Sequence, residues 1–155
     1  MDMWTFVARA TVLAIAASRS PGAKVSPSPT LERIGTNSNL TPAGTLRNGV
    51  LSLRLEVRTG TWYPEADDGA TLTVQAFAEE GRAPTVPGPL VRVPEGTVIQ
   101  IALKNTLDSA IIVYGLHRHP GSLRDSIIVP AGGTRELRFN AGSPGTYYYL
   151  SLIHI

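Results

Sequence analysis

The sequence predicts an all-β domain folded as a β-sandwich, and three observations support that class. Apolar and polar residues alternate strictly through Leu51–Arg58, which is typical of a strand with one buried face. Glycine and proline turn signals separate short apolar segments at intervals of roughly 8 to 12 residues. No segment after Gly44 has a helical periodicity long enough to compete. The 155 residues suffice for one such domain with a substantial core.

Composition excludes several classes of function. The net charge is +2 and acidic and basic residues are interspersed, so we expect no nucleic-acid partner. The sequence contains no cysteine, which excludes a disulfide framework and any thiolate metal site within these residues. A complete blue-copper centre needs a Cys thiolate together with two His, so this chain alone cannot hold one.

The first 45 residues are predicted to precede the domain. Trp4–Ala17 is a mostly apolar segment of about fourteen residues, which suits the core of a signal peptide better than a membrane span. We therefore predict a signal peptide at 1–18, a periplasmic or secreted protein, and no membrane attachment after signal removal. Asp2 and Arg9 depart from the usual signal pattern, and a loosely helical leader is the alternative. Residues 19–45 are rich in Ser, Pro, Gly, Thr and Asn, which predicts a flexible linker.

The domain itself is predicted at 46–149. Its strands are expected in segments that alternate or are rich in β-branched residues and end at turn residues. A Pro-Glu-Gly turn at 94–96 is expected to join two of them. In Tyr147–Tyr149, alternate rings are expected in the core and the others at its rim. The predicted strands are Leu51–Arg58, Thr71–Phe77, Leu90–Val93, Val98–Asn105, Ile111–Tyr114, Ile127–Val129 and Thr134–Phe139.

Two histidines are the candidate metal ligands. His117 and His119 are two residues apart, so on an extended chain their side chains share a face, and a neutral imidazole is a good ligand for copper or zinc. Pro120-Gly121 follows them, and a solvated loop explains the same residues. The spacing alone leaves both interpretations open.

Three sequence blocks share an order of turn and strand residues. The first, Val86–Asn105, has a Pro-Gly-Pro, an aliphatic-Arg-aliphatic segment, a Gly turn and a strand ending in Asn. The second is Val129–Thr134, and the third runs from Phe139 through Pro-Gly-Thr-Tyr to Tyr149. In this order the three blocks resemble the plastocyanin-like domains of multicopper oxidases, and the resemblance covers roughly Leu46 to Tyr149. The resemblance implies a cupredoxin-like Greek-key β-sandwich, namely the N-terminal domain of an exported, bacterial laccase-like oxidase.

The resemblance also implies a cofactor and partners. In that family the first domain supplies two His-x-His pairs to a trinuclear copper cluster, where O₂ is reduced to water. The electrons come from oxidation of a phenol, an amine or a metal ion. Copper is therefore the implied cofactor. The implied partners are further cupredoxin domains of the same chain or a homo-oligomer.

The first departure from the family lies at the first His pair. Aligned without a gap, Tyr114-Gly115-Leu116 occupies its place, and His117 and His119 lie three residues further on. An odd shift along a strand turns side chains to the opposite face, so the two His can substitute only if the chain bulges or leaves the strand at Gly115. Tyr114 is then the position of a lost or altered ligand.

The second departure lies at the C-terminus. The second His pair should follow Tyr149, where Leu150–Ile155 stands instead. These six residues look like the in-frame translation of a common transposase sequencing adapter. We therefore expect that 150–155 is not natural sequence, that the sandwich is incomplete at its C-terminus, that His154 has no function and that the fragment is inactive. The alternative is a copper-free β-sandwich that binds a partner or acts as a spacer.

Overall fold

The computed structural model describes residues 30–116 and 126–152, and in these ranges every regular element is a β-strand. The prediction of an all-β chain is confirmed. No helix long and apolar enough to cross a membrane occurs in the described ranges. The strands are β1 (Glu32–Arg33), β2 (Gly35–Thr36), β3 (Thr45–Arg47), β4 (Val50–Trp62), β5 (Leu72–Glu79), β6 (Thr85–Val86), β7 (Val98–Asn105), β8 (Ile111–Tyr114), β9 (Ser126–Val129), β10 (Thr134–Asn140) and β11 (Leu150–Leu152).

The long strand β4 organises the larger of two sheets. Its first half pairs in parallel with β7 and its second half pairs antiparallel with β5, giving the order β10-β7-β4-β5-β6-β2. The short strands β1 and β3 also pair with β4. The alternation predicted for Leu51–Arg58 is confirmed, since its Leu and Val side chains are buried and the polar side chains between them face away from the core.

The core lies between this sheet and a smaller one with the order β11-β8-β9. Alternate side chains of β4 and β7 pack in one cluster with Ile111, Val113 and Val129 of the smaller sheet. Burial of each large aliphatic side chain in such a cluster contributes about 1.5–3 kcal/mol relative to leaving it exposed. Because the inner faces of two sheets share this cluster, the architecture is the predicted β-sandwich.

The segment predicted as a strand at Leu90–Val93 is not one, and that prediction is wrong. Val91 and Val93 do pack against the core, so the predicted alternation of side chains is present. However, the flanking prolines have no backbone N–H to give to a ladder, and the segment joins neither sheet. The turn that follows is as predicted: Thr97 N donates to Pro94 O at 3.3 Å, and Gly96 takes a φ of +77°.

Asn105 joins the end of β7 to two other segments, the loop after β7 and the end of β9. The side chain is fully buried, and its Nδ2 donates to the carbonyl oxygens of Ser109 (2.7 Å), Val129 (3.1 Å) and Pro130 (3.0 Å). Its Oδ1 accepts from Leu107 N at 3.0 Å. One amide therefore satisfies backbone groups in the loop after β7 and at the end of β9.

Two short strands lie within the segment that composition assigns to a linker. β1 pairs in parallel with the end of β4, and β2 pairs in parallel with β6. Ile34, between them, is buried. Strands of two residues have no detectable periodicity, and their partners are distant in sequence, so composition did not reveal them. The predicted signal peptide at 1–18 lies outside the described residues.

Candidate functional site

The segment that leads to the predicted metal ligands begins where β8 ends. Tyr114 is the last residue of β8, and Gly115 follows it with a φ of +82°. A Cβ at position 115 would clash with the carbonyl oxygen of Tyr148, so both the conformation and the space require glycine. The chain thus leaves the strand at Gly115, which is the condition set above for His117 and His119.

The two histidines themselves lie outside the described residues, as does His154. Leu116, the last described residue before them, is buried in the core. Within 30–116 and 126–152, no three His, Cys, Asp or Glu side chains lie close enough to hold a metal ion. The assignment of His117 and His119 as ligands stays a prediction.

The smaller sheet places Tyr114 on its outward face. Tyr114 lies directly opposite Ser126 on β9 and Leu150 on β11. Directly opposed residues share a face of the sheet, and the neighbouring Val113 points into the core. The place of the first ligand pair and the residue after Tyr149 are therefore cross-strand neighbours.

Tyr149 is the one member of the tyrosine triplet that packs against the core. Its ring meets Phe77 edge to face with centroids 5.0 Å apart, and its hydroxyl donates to Pro89 O at 2.6 Å. Burial raises the pKa of this hydroxyl well above its ordinary value. Tyr147 and Tyr148 are both mostly exposed, so the expected alternation of rings is wrong. The reason is that residues 146–149 belong to neither sheet, since a strand begins only at Leu150.

A cavity of about 210 Å³ lies beside Tyr149, lined mostly by apolar atoms. Phe77 and Gln75 of β5 and Thr85 of β6 form part of its wall. Thr85 Oγ1 is buried and has no hydrogen-bond partner among the described residues. The sequence alone gives no sign of this cavity, because its walls come from segments far apart in the chain.

The fold matches part of a solved metallo-oxidase. A multicopper oxidase from Campylobacter jejuni is similar over 79% of this chain and 26% of that chain, with a TM-score of 0.52 and 24% sequence identity. The fold is that of a multicopper oxidase domain. A laccase-like multicopper oxidase from the lignin-degrading bacterium Ochrobactrum sp. is similar over 83% of this chain and 26% of that chain, with a TM-score of 0.49 and 18% identity.

A curated protein is also similar to this chain in sequence. The probable nitrite reductase-hydroxylamine oxidoreductase fusion protein of Kuenenia stuttgartiensis is 30% identical to it over 69% of this chain. The chain spans 13% of that protein and 26% of the two solved oxidases, so most of each relative lies outside the matched part. No protein-family model matches the chain. The resemblance seen in the sequence is confirmed for the cupredoxin-like fold.

The described residues do not fit copper. Copper in proteins is held chiefly by imidazole and by thiolate or thioether sulfur. The place of the first ligand pair holds the Tyr114 phenol, Gly115 and the buried Leu116, and a phenol is a poor replacement for imidazole. Any imidazole that this chain offers to copper has to come from His117, His119 or His154, since it has no other histidine.

Proposed function

We propose that this chain is the N-terminal cupredoxin-like domain of an exported multicopper oxidase and is inactive as a fragment. The fold match to the Campylobacter jejuni oxidase and the order of the three sequence blocks support the proposal. The full-length protein would oxidise a phenol, an amine or a metal ion and reduce O₂, with copper as its cofactor. Most of the copper ligands would lie outside this domain.

Contacts between the three blocks are the observation that carries the proposal. The Asn105 side chain of the first block donates to Val129 O and Pro130 O of the second block. The Tyr149 hydroxyl of the third block donates to Pro89 O of the first. Because side chains of the first and third blocks donate to backbone carbonyl oxygens of other blocks, the resemblance concerns one structural unit and not three unrelated turns.

The first test is to read the natural gene beyond the codon for Tyr149. The proposal expects a further cupredoxin domain with a His-Cys-His motif and paired His, because a mononuclear copper that accepts electrons needs a thiolate that this chain lacks. A natural reading frame that ends soon after the last strand, with none of these motifs, would overturn it.

A second test concerns His117 and His119. Cu(II) is titrated into the purified 155-residue chain and binding is followed by electron paramagnetic resonance. If the pair supplies ligands, changing both to Ala abolishes the tightest site, whereas His154→Ala leaves it unchanged. Binding that is equal in all three proteins would remove the pair from the list of ligands.

A second candidate function is a copper-free binding or spacing module. It is favoured by Tyr114 at the first ligand place, because a phenol is a poor replacement for imidazole at copper. The curated relative is a probable nitrite reductase fusion protein, which suggests a further possibility, that the longer protein reduces nitrite. The gene reading separates these cases, because it reveals oxidase motifs, a reductase part or neither.

A further inference from the structure

A second, small group of buried residues lies on the outer side of the larger sheet. Ile34, Ala76 and Ala78 are buried, but none of them belongs to the main cluster between the two sheets. Successive residues of a strand point to opposite faces, so Gly60 of β4 faces away from Val57, which lies in the main cluster. The register of β4 with β5 places Gly60 on the same face as the two alanines. The outer side of this sheet therefore has a groove lined by small residues.

Residues 32–37, called the latch below, fill this groove. The latch comprises β1 and β2, which pair in parallel with β4 and with β6. Its backbone N–H groups bond to both sides of the groove. The bonds run from Ile34 N to Thr61 O at 2.8 Å, from Gly35 N to Pro84 O at 2.9 Å and from Asn37 N to Val86 O at 3.2 Å. The latch thus bridges two strands that have β5 between them.

Polar side chains hold the two ends of the latch. At its start, Glu32 Oε2 pairs with Arg58 Nη1 at 2.9 Å, and Arg58 Nη2 donates to Arg82 O. At its end, Asn37 Nδ2 donates to Gly88 O at 2.9 Å. The groove therefore recognises an extended segment with an acidic residue, an aliphatic residue two positions later and an amide three positions after that.

Gly60 makes room for the latch. A Cβ at position 60 would lie 2.7 Å from both Glu32 O and Ile34 Cγ1, and all three of its nearest neighbours are latch atoms. Gly60 lies within β4, where the extended backbone suits alanine. The space above Gly60, and not its backbone conformation, requires glycine there.

The connection from the latch to the sandwich is exposed. Residues 38–42 are all exposed, and the chain is held again at Ala43, whose N donates to Leu90 O at 2.8 Å. Five extended residues span roughly 17 Å, so the latch can leave the groove while Ala43 stays in place. A segment with only one large buried side chain opens at a lower cost than the whole domain.

We propose that the latch is detachable and that the groove binds the latch of a second copy of this chain. Exchange of identical segments recreates the same contacts, which makes it a low-cost route to a dimer. Main-chain hydrogen bonds of an added strand give affinity, and side-chain pockets give specificity. The chain's own latch competes at an effective concentration on the order of millimolar, so exchange rises with protein concentration. The inference does not use the copper chemistry of the proposed function.

The first experiment detects exchange by cross-linking, since the chain has no cysteine of its own. Arg33 lies directly opposite Thr61, so an Arg33→Cys chain is mixed with a Thr61→Cys chain under mild oxidation. The control mixes Thr61→Cys with Thr73→Cys, because Thr73 also lies opposite Thr61 but belongs to β5 of the same sandwich. Inter-chain disulfides should form at least about tenfold faster in the first mixture, because only an exchanged latch brings the two sulfur atoms within bonding distance.

The second experiment separates the latch from the groove. Ile34→Ser weakens the latch and leaves the groove intact, so exchange of the latch amides with deuterium should rise about thirtyfold, equivalent to about 2 kcal/mol, while β7 is unchanged. A labelled peptide of residues 30–38 should bind this variant and bind the wild type at least about tenfold more weakly, because the wild-type latch competes. Gly60→Ala should bind no peptide, since its methyl group occupies the groove.

Gly142→Ala is the matched control, because the added Cβ has no atom within 4 Å, and it should behave as the wild type in every assay. Ile34→Val replaces Ile34→Ser if the serine prevents folding. Latch amides that exchange only together with β7, or a peptide that binds Ile34→Ser and Gly60→Ala equally, would overturn the detachable latch. Cross-linking no faster than in the Thr73 control would overturn the exchange between copies, whether or not the peptide binds.

Discussion

Removal of the Asn105 amide should destabilise the domain more than any exposed substitution. The residue is fully buried, and its side chain donates to the carbonyl oxygens of Ser109, Val129 and Pro130 and accepts from Leu107 N. Its two amide hydrogens are shared among three acceptors, so with the accepted N–H the amide makes about three full hydrogen bonds.

The expected loss follows from these contacts. A typical hydrogen bond contributes about 1 kcal/mol net, and a buried partner left without one costs about 1–3 kcal/mol. Asn105→Ala removes these hydrogen bonds, leaves the buried backbone partners unsatisfied and creates a small void. We therefore expect the free energy of unfolding to fall by about 3–5 kcal/mol. Since a domain of this kind has a free energy of unfolding of about 5–15 kcal/mol, the variant should be close to unfolding.

Asn105→Asp tests the direction of the hydrogen bonds. A carboxylate would present oxygen to three carbonyl oxygens, so the pKa of the introduced carboxyl should rise above its ordinary value of about 3.9. A group with a raised folded-state pKa contributes stability that is present below its unfolded pKa and is lost as pH rises through the folded one. This variant should therefore be less stable at pH 7 than at pH 5, measured against Asn105→Ala at each pH.

The assay is guanidinium unfolding followed by circular dichroism, with the slope on denaturant checked for constancy. Asn140→Ala is the control, because Asn140 is exposed at the end of β10 and its loss should change stability by about 0.5 kcal/mol or less. A loss below about 1 kcal/mol for Asn105→Ala would refute the assignment of the amide as a buried connector.

Two further predictions concern the region around Tyr149. Burial raises the pKa of the Tyr149 hydroxyl above its ordinary value of 10.0. Above about pH 10 the native state therefore keeps a proton that the unfolded chain releases. The free energy of unfolding should fall in that range by up to about 1.4 kcal/mol per pH unit. Tyr149→Phe should remove that dependence and Tyr148→Phe, 69% exposed, should retain it; identical pH profiles from denaturant titrations would contradict this. Gly115→Ala should cost at least about 2 kcal/mol more than Gly132→Ala, because both residues have positive φ but only position 115 has an atom within 4 Å of the added Cβ. Equal losses in thermal or chemical unfolding would show that the contact with the Tyr148 carbonyl is relaxed at no cost.

Local patterns in the sequence predict most of the strands correctly. The alternation at Leu51–Arg58 identifies β4 because burial of one face produces a period of two that any window can detect. The turn at Gly96 follows from residues whose backbone preferences are intrinsic. The error at Leu90–Val93 has a related cause: side-chain alternation reports burial, whereas membership of a sheet also requires free N–H groups and a partner.

The candidate site was predicted less completely. The sequence indicated that the chain has to bulge or leave the strand at Gly115 if His117 and His119 are to be ligands, and the structure ends β8 at Tyr114. It did not indicate that Asn105 connects the first two blocks of the family resemblance. The amide's acceptors are backbone carbonyls, which every residue has, so no sequence signal could point to them.

The class of the fold, the spacing of its turns and the burial of β4 follow from the sequence, because period-two patterns and turn preferences are local. The tertiary structure alone decided which side of β8 faces inward. Ile111, Ile112 and Val113 are all apolar, and only packing against β4 and β7 selects Ile111 and Val113 for the core. Ile112 is left on the outer face by that choice. The sequence of a uniformly apolar strand does not show which of its faces is buried. The outward position of Ile112 can therefore be read only from the assembled sheets.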